Sequence, residues 1–279
     1  LLMVSDYPTL PAITQDHLIG SVDCDTFVDA VRVVGEYASE DPATELQNLT
    51  ALNLRAEPGS LTLCATDRYV IGRRRVDWTA TGEPTEINVP AADVLATIKA
   101  LTGPTSGDHI EVLWNGSLLG LRSGATTVVT RSLGSEFPNV KHIMTTDEYF
   151  ATATVFTPDL VAVLRRAASI ADDQFAQVDI AVNDDTLTVQ TSKSGTGKTT
   201  DSITATHSGG PRRLSLSSRR LLTALSIVDH DQVTLAFRAK GHLLTIHPGP
   251  TDTDPLKQPE RDSIALLMGI TGVSAPSAR

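Results

Sequence analysis

The sequence has little of what usually announces chemistry. Its 279 residues include two cysteines, Cys24 and Cys64, and seven scattered histidines. The cysteines lie far apart with no second pair, which argues against a disulfide framework or a cysteine-rich metal site and for a reduced, intracellular setting. No metal-ligand spacing occurs, and no Ser, His and Asp set stands in a recognisable motif. No catalytic residue, metal or cofactor is therefore expected. Aromatics make up only 4%, so any core must be aliphatic. No apolar run approaches bilayer-spanning length and nothing at the start resembles a signal peptide, so no membrane association is expected. Positive charge is in deficit too: the formal net charge is −10. That excludes a uniformly basic nucleic-acid coat but not one basic face on an acidic body.

What is present is globular, with 41% apolar and 20% charged residues in a chain long enough for two domains. From Ser21 the pattern turns helical. Asp23 or Asp25 can cap, and Phe27, Val31, Val34 and Tyr37 recur on one face. Alternating strands follow ("LTALNLRAE", "LTLCATD", "YVIGRRRVDW"). "INVPAADVLATIKALTG" then runs from a strand into a helix with Val94, Ile98 and Leu101 on its apolar stripe. "HIEVLWNG", "SLLGLRSG" and "TTVVTRSL" close this half. The second half repeats the order. "YFATATVFTPDLVAVLRRAASIADD" is a strand and a helix with Thr157 as N-cap and Pro158 at the first helical position. A hairpin turns at Asn183-Asp184-Asp185, "SITATHS" adds a strand, and "RRLSLSSRRLLTALSIV" is again strand into helix. Two α+β modules, each with two helices on a curved antiparallel sheet, are the expected fold. The boundary falls near Met144–Glu148, giving domains at 1–146 (with a linker over 1–14) and 147–272, and a tail at 273–279. The opening "LLMVSDYPTLP" has no initiator and reads as a strand end plus a linker, so a preceding segment is expected.

Four stretches, in order, carry a resemblance. "DYPTLP", "LCATDRYVIG", "EFPNVKHIM" and "IALLMGITG" resemble the interdomain linker, the "ATD-x-[HFY]-R-L" turn, the "FP-x-[YF]" linker and the terminal "LMP-[MV]-RL" of the bacterial DNA polymerase III β subunit, the β sliding clamp. The likeness covers that family's second and third domains. It implies a DNA-clamp fold and a processivity factor that encircles duplex DNA regardless of sequence. It also implies a bacterial or phage-infected cytoplasm and partners comprising the replicative polymerase, the clamp loader and repair proteins. These would dock short peptides in a groove between the two domains. Matched residue by residue, that groove is Leu49, Thr66, Tyr69, Val70, Ile71, Pro138, Ile143, Leu266, Leu267, Met268, Gly269 and Ile270. The family ring is usually a dimer of longer chains. Without the family's first domain, this chain is expected to be monomeric or to assemble differently.

Val70, Gly269 and Thr271 stand where the family usually has Arg, Pro and Arg, which implies an altered peptide preference. DNA-facing cations are expected on the helices at Arg32, Lys99, Arg165, Arg166, Arg219 and Arg220; the last could instead border the groove. Arg73, Arg74 and Arg75 are expected on the outer face. A divergent interaction module that no longer encircles DNA is the alternative reading. "SKSGTGKTT" mimics a phosphate-binding loop, but Ser192 occupies the first glycine position and the segment joins two strands.

Overall fold

The computed structural model describes residues 13–40, 47–103, 106–144, 149–170, 176–193, 197–226, 228–238, 242–250 and 263–268. Its first half runs β1 (Leu18–Asp23), α1 (Cys24–Gly35), β2 (Ala51–Glu57), β3 (Gly59–Thr66), β4 (Val70–Ala80), β5 (Thr85–Pro90), α2 (Ala91–Leu101), β6 (His109–Trp114), β7 (Leu118–Ser123) and β8 (Thr126–Arg131). A short helix, α3 (Lys141–Met144), leads to the second half. That half comprises β9 (Tyr149–Phe156), α4 (Thr157–Ile170), β10 (Gln177–Asn183), β11 (Thr186–Lys193), β12 (Gly197–Gly209), β13 (Arg212–Ser217), α5 (Ser218–Leu225), β14 (Gln232–Arg238), β15 (Leu243–Pro248) and β16 (Ser263–Met268). The fold is α+β, with long helices against curved antiparallel sheets.

The repeat seen in the sequence extends to every ladder within each half. β1 pairs with β4 and β6, β2 with β3 and β5, β3 with β4, β6 with β7, and β7 with β8. The corresponding strands of the second half pair in the same pattern.

The helices form where apolar spacing and caps coincide. Asp23, rather than Asp25, caps α1. Its Oδ1 accepts from the Thr26 hydroxyl at 2.6 Å and the Thr26 N–H at 2.9 Å, and those bonds hold its carboxyl below the usual carboxylate range. Phe27, Val31 and Val34 are buried on one face of α1, as are Leu160, Val163 and Leu164 on α4. Thr157 does something else than cap. It is the first residue of α4, its N–H donates to the Asp231 carbonyl and its hydroxyl to the His230 carbonyl. It thereby ties the helix start to the loop before β14.

Three outcomes depend on topology. β12 begins at Gly197, inside the segment that mimics a phosphate loop, and so reaches well beyond "SITATHS". It needs that length because its first part pairs with β11 and its last part with β9. The arginine run is divided by strand alternation. Arg74 reaches the helix side, where its guanidinium pairs with Asp29 of α1 at 2.5 Å, so it does not lie on the outer face. Finally, β16 lies between β15 and β4, pairing Leu266 with Ile71 and Leu267 with Val70. One antiparallel sheet thus runs through both halves.

Tyr37, just past α1, braces that junction. It is 1% exposed, lies against the Gly72 backbone and donates its hydroxyl to the Thr223 and Ala224 carbonyls of α5 at 3.0 and 2.9 Å. Those carbonyls belong to the last turn of α5; that of Thr223 also accepts from the Ser226 N–H and hydroxyl, at 3.0 and 2.6 Å, which leaves Ala224 the more dependent on Tyr37. Tyr37→Phe is expected to cost about 1–2 kcal/mol in urea unfolding with an unchanged m-value. A variant as stable as wild type would show that the α5 carbonyls do not depend on this hydroxyl.

Candidate functional site

The turn between β3 and β4 is built by its own side chains. Asp67 Oδ1 accepts from the N–H groups of Tyr69 and Val70, both at 2.8 Å. The Thr66 hydroxyl donates to the Val70 carbonyl at 2.8 Å and accepts from the Arg68 N–H at 3.2 Å. Thr66 is 3% exposed, so its hydroxyl serves the turn. Arg68 takes a φ of 82°, in the left-handed region. The result presents Tyr69 outward at 47% exposure.

From this turn the chain enters β4, and consecutive residues part company. Val70 faces the main core and is 3% exposed, whereas Ile71 faces the opposite side of the sheet. There Ile71 and Cys64 form a second cluster, covered by Phe137, Val140, Ile143 and Met144 of the segment joining the halves. Burial pushes the Cys64 thiol up to about 12. The joining segment is tethered from both sides: Arg238 of β14 donates to the Ile143 carbonyl at 2.5 Å, and Asn48 donates to the Glu136 carbonyl at 3.1 Å. Pro138 is half-buried within it, and Leu49 is buried in the 3-10 turn before β2. The backbone of β16 brings Leu266 and Leu267 beside Ile71 and Val70 and carries Met268 opposite Leu243. Gly269, Ile270 and Thr271 lie outside the described residues.

The structure therefore gathers Ile71, Ile143 and the backbone of Leu266 on the face away from the helices and turns Val70 to the other. Phe137, Val140 and Met144, absent from the sequence reading, complete the cluster. Their signal was available as apolar residues at helix-like spacing through "EFPNVKHIM". Arg220, for which two placements were open, lies against the turn. Its guanidinium carbon is 3.9 Å from the Tyr69 ring centroid and its Nε is 3.6 Å from Asp67 Oδ2. A half of the chain remote in sequence thus supplies a cation to the rim of this site.

The other cations stand on the helix side. Arg32, Lys99, Arg165, Arg166 and Arg219 are all exposed, on helices whose apolar faces are spent on the sheet. Arg166 pairs with Asp201 at 2.9 Å, both groups being partly in solvent; such a pair contributes little to stability. Among the described residues no group of His, Cys, Asp and Glu could hold a metal ion, and no helix is long and apolar enough to cross a membrane.

Residues 146–253 match the family model for the DNA polymerase III beta subunit, C-terminal domain. The chain is 28% identical over 245 residues to the beta sliding clamp of Streptomyces coelicolor, covering 85% of this chain and 62% of that one. It is 30% identical over 173 residues to the beta sliding clamp of Micrococcus luteus, covering 61% and 53%. The crystal structure of a Bacillus subtilis DNA polymerase sliding clamp aligns over 98% of this chain and 69% of its own, with a TM-score of 0.85 and 16% identity. The chain is a relative of the bacterial β sliding clamps. It spans less than two thirds of the length of those two sequence relatives, and the sliding-clamp fold extends through both of its halves.

The left-handed Arg68 gives this clamp relative a measurable local strain. Glycine reaches φ 82° without the Cβ penalty, so Arg68→Gly is expected to raise stability by up to about 1 kcal/mol in denaturant unfolding. A loss of stability would mean that the Arg68 side chain supports the turn by contacts worth more than the strain.

Proposed function

We propose that the chain serves as the second and third domains, 1–146 and 147–272, of a DNA sliding clamp. In this reading it acts by topology and docking, without catalysis or cofactor, in the replication machinery of a bacterial or phage-infected cytoplasm. Duplex DNA passes the helix side, where Arg32, Lys99, Arg165, Arg166 and Arg219 meet phosphates without reading sequence. Polymerase, clamp-loader and repair proteins dock short peptides on the opposite face. The observation that carries the reading is the convergence on Ile71 of three segments distant in sequence: the turn, the joining segment and β16. Apolar side chains there, with Tyr69 and Arg220 at the edge, suit a peptide that inserts aliphatic and aromatic anchors. Buried Val70 offers no cation to that peptide, so Arg220 is the cationic rim, which supports an altered partner preference.

The test is fluorescence anisotropy with a labelled clamp-binding peptide from a replicative polymerase. Micromolar binding is expected, weakened at least about tenfold by Ile71→Ala with Ile143→Ala. Absence of binding to the intact protein would remove the docking role and move the divergent interaction module to first place. On the helix side, weak binding to duplex DNA should fall as salt rises, with a shallower slope after Arg32→Ala, Lys99→Ala and Arg165→Ala together. An unchanged slope would remove these residues from the DNA path.

A further inference from the structure

The rim of the site carries a charge set by two segments remote in sequence. Arg220 stands near the start of α5, where its N–H donates to the Ser217 hydroxyl at 3.3 Å. Its guanidinium carbon lies 3.9 Å from the Tyr69 ring centroid, and both side chains are partly exposed. Stacking fixes the plane of a guanidinium and uses none of its five N–H donors. Asp67, the carboxylate beside it, is committed to the turn. Its Oδ1 takes the N–H groups of Tyr69 and Val70. Its Oδ2 is 3.6 Å from Arg220 Nε, longer than a charge-assisted hydrogen bond. Arg68, one residue before Tyr69, is exposed. Among the residues of the turn at 66–70 and of α5, Asp67 is the one carboxylate. The rim is therefore cationic on a chain whose net charge is −10.

We propose that this rim selects partners by charge. A peptide docked beside Ile71 sets the side chain of an Asp or Glu, next to its apolar anchors, on the Arg220 guanidinium. The inference rests on the docking role proposed above and adds to it the chemistry of the partner. The planar fork of arginine matches a carboxylate through two parallel N–H···O bonds, and five donors suffice to hold that group together with Asp67. Tyr69 holds the fork in place beforehand, so little rotamer freedom is lost when the peptide arrives. A lysine at the same place in the peptide would set its ammonium against Arg220 and Arg68. Because the side chain at 70 is buried, the cation reaches the turn from α5. Selection therefore needs both halves in their joined arrangement.

Fluorescence anisotropy on the 279-residue chain tests this. The labelled polymerase peptide is made with Glu, Gln or Lys immediately before or immediately after its apolar anchors. At one of those places Glu is expected to bind at least about tenfold tighter than Gln, and Lys more weakly than Gln. The net charge of −10 acts in the opposite sense, so the overall field cannot produce this order. The Glu advantage should shrink as salt rises. It should disappear in Arg220→Gln and give way to a Lys preference in Arg220→Glu, while Arg131→Gln, at an exposed cation on β8, retains it. Each comparison is a ratio within one variant, so a general loss of affinity or stability does not mimic it. Equal binding of the Glu and Gln versions at both places, or a preference that survives Arg220→Gln, would overturn the inference and leave the docking role standing. No binding by any version would remove both.

Discussion

The ladder between β16 and β4 is the constraint on which the rest depends. The last strand of the chain seats its backbone against the fourth, and through that contact the sheets of the two halves become one. Everything near the candidate site follows. The turn at 66–70 is held beside α5, so that Arg220 can stack on Tyr69. The joining segment crosses the face where Ile71 emerges, and Tyr37 is trapped between β4 and α5 on the other face. Backbone hydrogen bonds are individually worth about 1 kcal/mol net. Their role here is positional: they fix which side chains face which way, and a shift by one residue would exchange Ile71 for Val70.

That exchange of faces also explains how an acidic chain presents cations to one side. Asp25, Asp93 and Asp159 stand in first turns, where the helix dipole favours them, while Asp29, in the middle of α1, is spent on Arg74. Arg32 and Lys99 lie in last turns, which the dipole equally favours. The dipole therefore accounts for their order along each helix, but not for their exposure opposite the sheet. The latter follows from the apolar stripes: once Phe27, Val31, Val94 and Ile98 are buried, the charged residues face solvent on the helix side.

Much of this was legible in the chain, because helices and hairpins are local. The period of Phe27, Val31 and Val34 and the turn residues at 183–185 gave element type and order, and the order repeated. The turn, the joining segment and the last strand could be assigned to one site through the resemblance alone. What stayed hidden depended on register. The length of β12 follows from its having two different partners, which no local pattern encodes. Arg73, Arg74 and Arg75 look alike in sequence, yet period-two alternation sends Arg74 to Asp29. Tyr37 fitted the apolar stripe of α1, and nothing nearby indicated that its hydroxyl would meet carbonyls at 223 and 224.

The repeat also explains why, among the described residues, the apolar cluster of the first half has no twin at the equivalent place in the second. Each half has a two-residue hairpin turn, after Glu57 and Asn183, and counting along the ladders from it matches Ile71 to Lys198, so the position that anchors the apolar cluster in the first half carries an ammonium in the second. By the same register Gly72 matches Thr199, and by the starts of α1 and α4 Tyr37 matches Ile170, so the tyrosine brace has no counterpart at that place in the second half. The segment from Phe137 to Met144, which covers Ile71, joins the halves and therefore exists once. Two copies of one fold plan have thus been specialised at equivalent positions. One carries aliphatic cover, a glycine gap and an aromatic brace beside the ladder that joins the two halves. The other keeps the same strand geometry with polar side chains, Lys198 and Thr199, and without the tyrosine.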